Sequence, residues 1–273
     1  MSPASTAVTL ITALQGSPAT ARTSCAKTTT GGGGSRPDRN SLTFTIEGVT
    51  GPEDAEQVAD RMAAESIAAG DPTGWFERLY AAAAAGQTAV PWDRGAPSRY
   101  LTQWLEARTP RGAGHSAVVV GCGLGDDAEF IAGLGFQTTA FDISPTAIAT
   151  ARGRFPGSAV RYQTADLLDP PTAWKQAFDL VVESLILQAL PDPPRSDAIA
   201  RLGGLVAPGG TLIVIARARE PEQPVHGPPW ALTRVEIDAL ADGGLEPVRI
   251  EDLTDPQMPW PRRWRAEFRR PAD

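Results

Sequence analysis

Two cysteines and two histidines in 273 residues leave little material for disulfide or zinc chemistry. Cys25 lies in a polar stretch and Cys122 in a glycine turn, a poor disulfide pair, and His115 and His226 show no zinc-ligand spacing. No metal is therefore expected. No apolar run approaches the length that spans a bilayer. Positive charge is also short: the net charge of -7 argues against a general nucleic-acid or anionic-membrane binder. A reducing cytoplasm is the expected compartment, and a monomer or homodimer the expected state.

Residues 1–40 are rich in Ser, Thr, Ala and Gly, include the run Gly31 to Gly34, and show no sustained periodicity. Such a composition cannot bury enough apolar surface to offset ordering, so a disordered low-complexity tail is expected. The run before Ala19-Thr20-Ala21 is not read as a signal peptide, because no Lys or Arg precedes it and threonines break its short apolar core. Residues 41–71 read as a helical extension, with Val58, Met62, Ala63 and Ile67 on one side and Gly70-Asp71-Pro72 as its stop. Residues 72–273 are long enough for one α/β domain with a full core.

The stretch that organises this domain runs from Ala117 to Ala132. β-Branched residues lead to Gly121, Gly123 and Gly125 at alternate positions, and Asp126 and Asp127 then head a segment with apolar residues at helical spacing. Glycines let the backbone take strained conformations and let a ligand lie almost on the main chain. A second strand ends in Asp142, seventeen positions after Gly125, and Ser144-Pro145 starts a second helix. Strand, glycine turn, helix, strand and acid form the first half of a Rossmann-type unit, whose acid accepts from ribose hydroxyls.

The position after the third glycine bears on the ligand. Dinucleotide sites place a pyrophosphate on this helix start and usually have glycine or alanine there. Asp126 and Asp127 suit the positive end of a helix but repel a pyrophosphate. S-adenosylmethionine (SAM), with adenosine, a sulfonium and an amine but no phosphate, is the better electrostatic match.

On these residues the chain resembles the class I SAM-dependent methyltransferases, from about Trp75 to the C-terminus. Val90-Pro91-Trp92-Asp93-Arg94-Gly95-Ala96-Pro97, the glycine turn with its two aspartates, and Phe141-Asp142-Ile143-Ser144-Pro145 look like the thiol and thiopurine methyltransferase branch. The resemblance implies a Rossmann-like, seven-stranded, mostly parallel sheet with helices on both faces and an antiparallel last strand. It also implies SAM as cofactor and a small-molecule methyl acceptor, with a thiol or related soft nucleophile in view. The implied cofactor contacts are Gly121, Cys122, Gly123, Gly125, Asp142, Ile143, Asp166, the backbone of Leu167, and Trp92 with Asp93 as a lid. Many class I enzymes hold the methionine amine with an acid two residues before the first glycine, where this chain has Val119. Asp127 or a backbone carbonyl is the expected replacement.

The remaining strands are expected at Ala159 to Thr164, Phe178 to Ser184 and Thr211 to Ala216, the last entered through a turn at Ala207 to Gly210, with two closing strands at Pro247 to Asp252 and Arg263 to Arg269. Thr233 to Asp242 reads as a helix opened by a Thr233/Glu236 capping box. Asp179 opens its strand and reads as structural, as does His115, which precedes the first strand. Glu183 closes its strand at the ligand edge, and the proline-rich loop from Arg217 to Trp230 carries His226. Glu183 and His226 are thus candidates for substrate contact or proton acceptance, Glu183 also for cofactor contact. An acceptor ionised before it binds would make both dispensable. The cluster Arg262, Arg263, Arg265, Arg269 and Arg270 is read as solvated protection of an edge strand, with an anionic substrate or partner as the other reading.

Methyl transfer from a sulfonium is an in-line displacement in which positive charge disappears, so a dry pocket that aligns the nucleophile supplies much of the rate. The alternatives are a nicotinamide-dependent oxidoreductase, which needs space for a pyrophosphate at Asp126 and Asp127, and a SAM-binding protein without catalysis. Deleting residues 1–40 is expected to leave the melting temperature and SAM affinity unaltered; a large loss of either would show that the tail docks on the domain.

Overall fold

The computed structural model describes residues 54–108, 112–225, 227–256 and 261–272. The tail expected over 1–40 lies outside them. Within 54–272 the chain builds α1 (Ala55–Ala68), α2 (Gly74–Ala84), α3 (Arg99–Glu106), β1 (Ser116–Val120), α4 (Asp126–Gly133), β2 (Gln137–Asp142), α5 (Pro145–Arg154) and β3 (Arg161–Thr164). It continues with β4 (Phe178–Ser184), α6 (Pro194–Leu205), β5 (Val206–Arg217), α7 (Arg234–Asp238), β6 (Glu246–Thr254) and β7 (Arg262–Arg269). The seven strands form one sheet in the order β3-β2-β1-β4-β5-β7-β6. Strands β1 to β5 pair in parallel, and β7 pairs antiparallel with both β5 and β6. This is the expected Rossmann-like architecture.

Strand alternation sorts the core onto two faces. Val118, Val120, Val181, Leu212 and Val214 pack with Ile199 and Leu202 of α6 and Trp75 and Leu79 of α2 on one side. Val119, Val182, Ile213 and Ile215 pack with Leu101 and Trp104 of α3, Ile131 of α4 and Ile148 of α5 on the other. The helix starts follow from local chemistry. Asp71 accepts from the Gly74 N–H at 2.8 Å ahead of α2, and the Ser144 hydroxyl accepts from the Ala147 N–H at 2.9 Å ahead of α5, where Pro145 needs no donor partner.

Two boundaries differ from expectation. β5 begins at Val206, so Ala207 to Gly210 lies inside it: the register against β4 shifts between Phe178 and Leu180, and Gly209, at a positive φ of 74°, bends the strand instead of ending it. The C-terminal helix has the expected capping box, but α7 stops at Asp238 and tightens into a 3-10 turn over Ala239–Gly243.

Register carries the strand ends to a common level. Val120 faces Phe141 on one side and Glu183 on the other, and Glu183 faces Val214. The residues that follow, Gly121, Asp142, Ser184 and Ile215, therefore stand in a row at the carboxyl edge. Glu183 itself is fully buried, and its Oε1 accepts from the Ile186 N–H at 2.6 Å and the Leu187 N–H at 3.0 Å, closing the turn after β4. Its Oε2 has no hydrogen-bond partner among the described residues. Burial pushes this carboxyl up from 4.5 to about 7.

Between pH 4.5 and about 7 the folded chain keeps a proton that the unfolded chain has released, so stability falls as pH rises through this window and levels off above it. Relative to Glu183→Gln, the wild type is expected to lose about 2 to 3 kcal/mol between about pH 5 and about pH 8. Denaturant melts of both proteins at a series of pH values check this; parallel curves would refute it.

Candidate active site

A cavity of about 440 Å³ opens at the carboxyl edge of the sheet. Its floor is the turn after β1. Gly121 and Gly123 have φ values of 55° and 51°, conformations that strain any residue with a side chain. There is also no space for one: a Cβ at Gly121 would lie 2.3 Å from Ile186, and one at Gly123 would lie 2.9 Å from the Tyr80 hydroxyl. The bare main chain is thus exposed to whatever occupies the crevice.

Asp142 ends β2 beside this turn, with its side chain buried. Its Oδ2 accepts from the Gly123 N–H and its Oδ1 from the Ser144 N–H, each at 2.9 Å. Burial raises its carboxyl, against these two bonds that favour the ionised form. Behind it, Glu77 of α2 accepts from the Ser144 hydroxyl at 2.5 Å and from the Thr146 hydroxyl at 2.6 Å, so α2 is bolted to the start of α5. Glu77 carried no signal in the sequence, because its partners lie nearly seventy residues away.

The acids at the head of α4 are also engaged. Asp127 accepts from the Ser98 N–H at 2.6 Å, and burial pushes its carboxyl up. Asp126 lies 3.3 Å from Arg154, which also reaches Asp93 at 3.4 Å. One guanidinium thus holds the segment after Trp92 against the start of α4. Trp92 donates its indole N–H to the Tyr80 hydroxyl at 2.9 Å and meets the rings of Tyr80 and Trp75 edge-on, both at 6.0 Å. Trp75 belongs to the core and also lines the cavity. On the other flank Asp166, after β3, accepts from the Leu168 N–H at 2.8 Å, next to buried Leu167.

The structure therefore brings Gly121, Cys122, Gly123, Gly125, Asp127, Asp142, Ile143, Asp166, Leu167, Trp92 and Asp93 together around one cavity. Val119 lines it too. Glu183 does not line it: the turn Ser184 to Leu187 folds over the strand end and its N–H groups take the carboxylate, which corrects the expectation of a ligand-facing acid. His226 lies outside the described residues. His115 and Asp179 sit at the amino edge, 3.6 Å apart, where Asp179 also accepts from the Ser116 N–H. Among the described residues no cluster of three His, Cys, Asp or Glu side chains is placed to hold a metal, and no helix is long and apolar enough to cross a membrane.

The arginine cluster requires a second correction. β7 is not an edge strand but runs between β5 and β6, so its arginines are not edge protection. Arg265 pairs with Glu251 at 2.8 Å and Arg262 with Asp252 and Glu220, whereas Arg263 is buried and lines the cavity together with Arg217. Arg217, expected to open the proline-rich loop, instead ends β5. The Gln188 side chain accepts from the Arg217 N–H at 2.6 Å and its carbonyl from the Trp230 N–H at 2.6 Å.

A family profile described as "Methyltransferase domain" matches residues 117–210. The trans-aconitate 2-methyltransferase of Methylobacterium radiotolerans is 32% identical over 176 residues, covering 60% of this chain and 65% of its own. The thiopurine S-methyltransferase of Vibrio vulnificus is 33% identical over 89 residues, covering 32% of this chain and 40% of its own. The chain spans about half to two thirds of the length of the first curated relatives it matches. A solved structure described under the conversion of a disulfide bond into a thioacetal group during echinomycin biosynthesis is 25% identical. It aligns with a TM-score of 0.56 over 72% of this chain and 93% of its own. A methyltransferase-domain profile over residues 117–210, methyltransferase relatives and this sheet order around a glycine-floored crevice make the chain similar to the class I SAM-dependent methyltransferases.

Proposed function

We propose that the protein transfers a methyl group from SAM to a small-molecule acceptor, with a sulfur or related soft nucleophile as the finer reading. The observation that carries it is the Asp142 carboxylate beside a glycine floor that excludes any side chain, where Asp126, Asp127 and Asp166 also line the crevice. That edge suits a cationic, phosphate-free adenosine conjugate and opposes a pyrophosphate. Asp142 would accept from the ribose hydroxyls, Asp166 and the Leu167 backbone would meet the adenine, and Asp127 would face the amino group. The cofactor supplies, when bound, a methyl group activated on a sulfonium.

The chain's own part is positioning and exclusion of water. Trp75, Tyr80 and Trp92 form an apolar wall beside the glycine turn, and Arg154 holds the Trp92 segment closed against α4. Charge is lost as the methyl group moves, so a dry pocket that aligns the nucleophile favours the displacement. The soft-nucleophile reading is supported by an S-methyltransferase among the relatives and by the thioacetal chemistry of the aligned structure. A thiol that enters as thiolate needs no protein base, in keeping with the burial of Glu183 away from the cavity.

Calorimetry with SAM and with NADH, followed by labelled-methyl transfer to thiols, selenols, halides, amines and phenols, tests the reading. Tight NADH binding without SAM binding would overturn it, and SAM binding without turnover on any acceptor would leave a binding protein. Asp142→Ala is expected to weaken SAM binding by about 1.5 to 3 kcal/mol, the range for a hydrogen bond to a charged group. Unchanged affinity in a variant with an unaltered melt would remove Asp142 from the site.

A further inference from the structure

Two arginines line the part of the crevice away from Asp142, together with Glu56 and Asp60 of α1. Arg217 ends β5 and Arg263 lies at the start of β7, and the two face each other directly in the antiparallel register. Their side chains therefore leave the same face of the sheet. Both line the cavity, Arg263 buried and Arg217 half-buried, and exposed Arg94 lines it as well. At the usual strand spacing, β5 and β7 stand about 10 and about 14 Å from β1, on the side opposite β2. The arginines thus lie beyond the half that the cofactor reading occupies.

Two guanidinium groups set opposite each other repel, and partial burial raises the cost. Burial and then Arg263 push Arg217 down to about 10, and burial lowers Arg263, with Arg94 adding to it. α1 presents Glu56 and Asp60, one turn apart, to the same cavity. Glu56 and Asp60 favour the charged form of Arg217, while burial and then Glu56 push the Asp60 carboxyl up. These acids belong to a separate element, whereas the arginines are fixed by the sheet itself. The Gln188 side chain, accepting from the Arg217 N–H, fixes the strand end further.

We propose, on the methyl-transfer reading of this cavity, that the acceptor is an anion whose carboxylate or similarly delocalised oxyanion sits against Arg217 and Arg263. A planar guanidinium fork matches such a group in two-point contact. The acids around the glycine turn repel the same group, so it is directed to the arginine end while the rest of the acceptor extends toward the methyl donor. Specificity for an anionic acceptor follows.

SAM also carries a carboxylate, so the test separates the two sources. Benzoate and its uncharged isostere benzamide are titrated into cofactor-free protein and into protein saturated with S-adenosylhomocysteine. The proteins are the wild type, Arg217→Gln, Arg263→Gln and the corresponding lysine variants. Benzoate is expected to bind the wild type at least about 10-fold more tightly than benzamide, the lower end for a hydrogen bond to a charged group. Either glutamine variant loses this preference, the lysine variants keep part of it, and affinity for S-adenosylhomocysteine is unchanged in all. Equal binding of benzoate and benzamide by the wild type, or a preference that survives both glutamine variants, would overturn the proposal. So would a loss of S-adenosylhomocysteine affinity in parallel with the loss of benzoate, which would assign the arginines to the cofactor. Failure of the wild type to bind S-adenosylhomocysteine at all would instead sink the methyl-transfer reading, while the benzoate comparison still decides the anion site.

Discussion

The crevice depends on the shared carboxylate of Asp142. By accepting from the Gly123 N–H with one oxygen and the Ser144 N–H with the other, it ties the turn after β1 to the turn after β2. Both turns are thereby fixed before any ligand is present, and the carboxylate is oriented by bonds that favour its charged form. Glu77 extends the tie outward, because the hydroxyl that caps α5 at Ser144 donates to it. Main-chain donors that would otherwise need water are satisfied from within, and the glycine floor is left bare.

Around that tie the cavity carries both signs of charge. Asp126 and Asp127 at the head of α4, Asp142 at the end of β2 and Asp166 after β3 line it, and so do Arg217 at the end of β5 and Arg263 at the start of β7. Arg154 joins Asp93 to Asp126 and so offsets the repulsion between a surface segment and the head of α4. Such a pair is partly exposed and contributes little to stability. Its effect is on where the Trp92 segment rests.

The sheet and its glycine turn were legible because their signals are local. β-Branched runs, alternate glycines and an acid at a strand end lie within a few residues of one another, and parallel pairing then puts them at one edge. Two features were not legible for a common reason. Period-two alternation places Glu183 in a row with Val120 and Val214, yet only the path of the following turn decides that its carboxylate faces N–H groups rather than the cavity. Likewise Arg217 and Arg263 are far apart in sequence, and only the insertion of β7 next to β5 makes them neighbours. Antiparallel register set by a late strand leaves no trace in the residues of the early one. The break in β5 expected at Ala207 to Gly210 shows the same limit, since glycine and proline mark a bend whether or not the ladder resumes.

The inner position of β7 also bears on biosynthesis. During translation the ribosome releases β1 to β5 and then β6 before the strand that belongs between β5 and β6 has emerged. The nucleotide half can condense early, but β5 must wait with an open hydrogen-bonding flank, a state vulnerable to pairing with another nascent chain. Only the arrival of β7 closes that flank, and the same event installs Arg263 opposite Arg217. Completion of the sheet and completion of the cationic wall are therefore a single folding step.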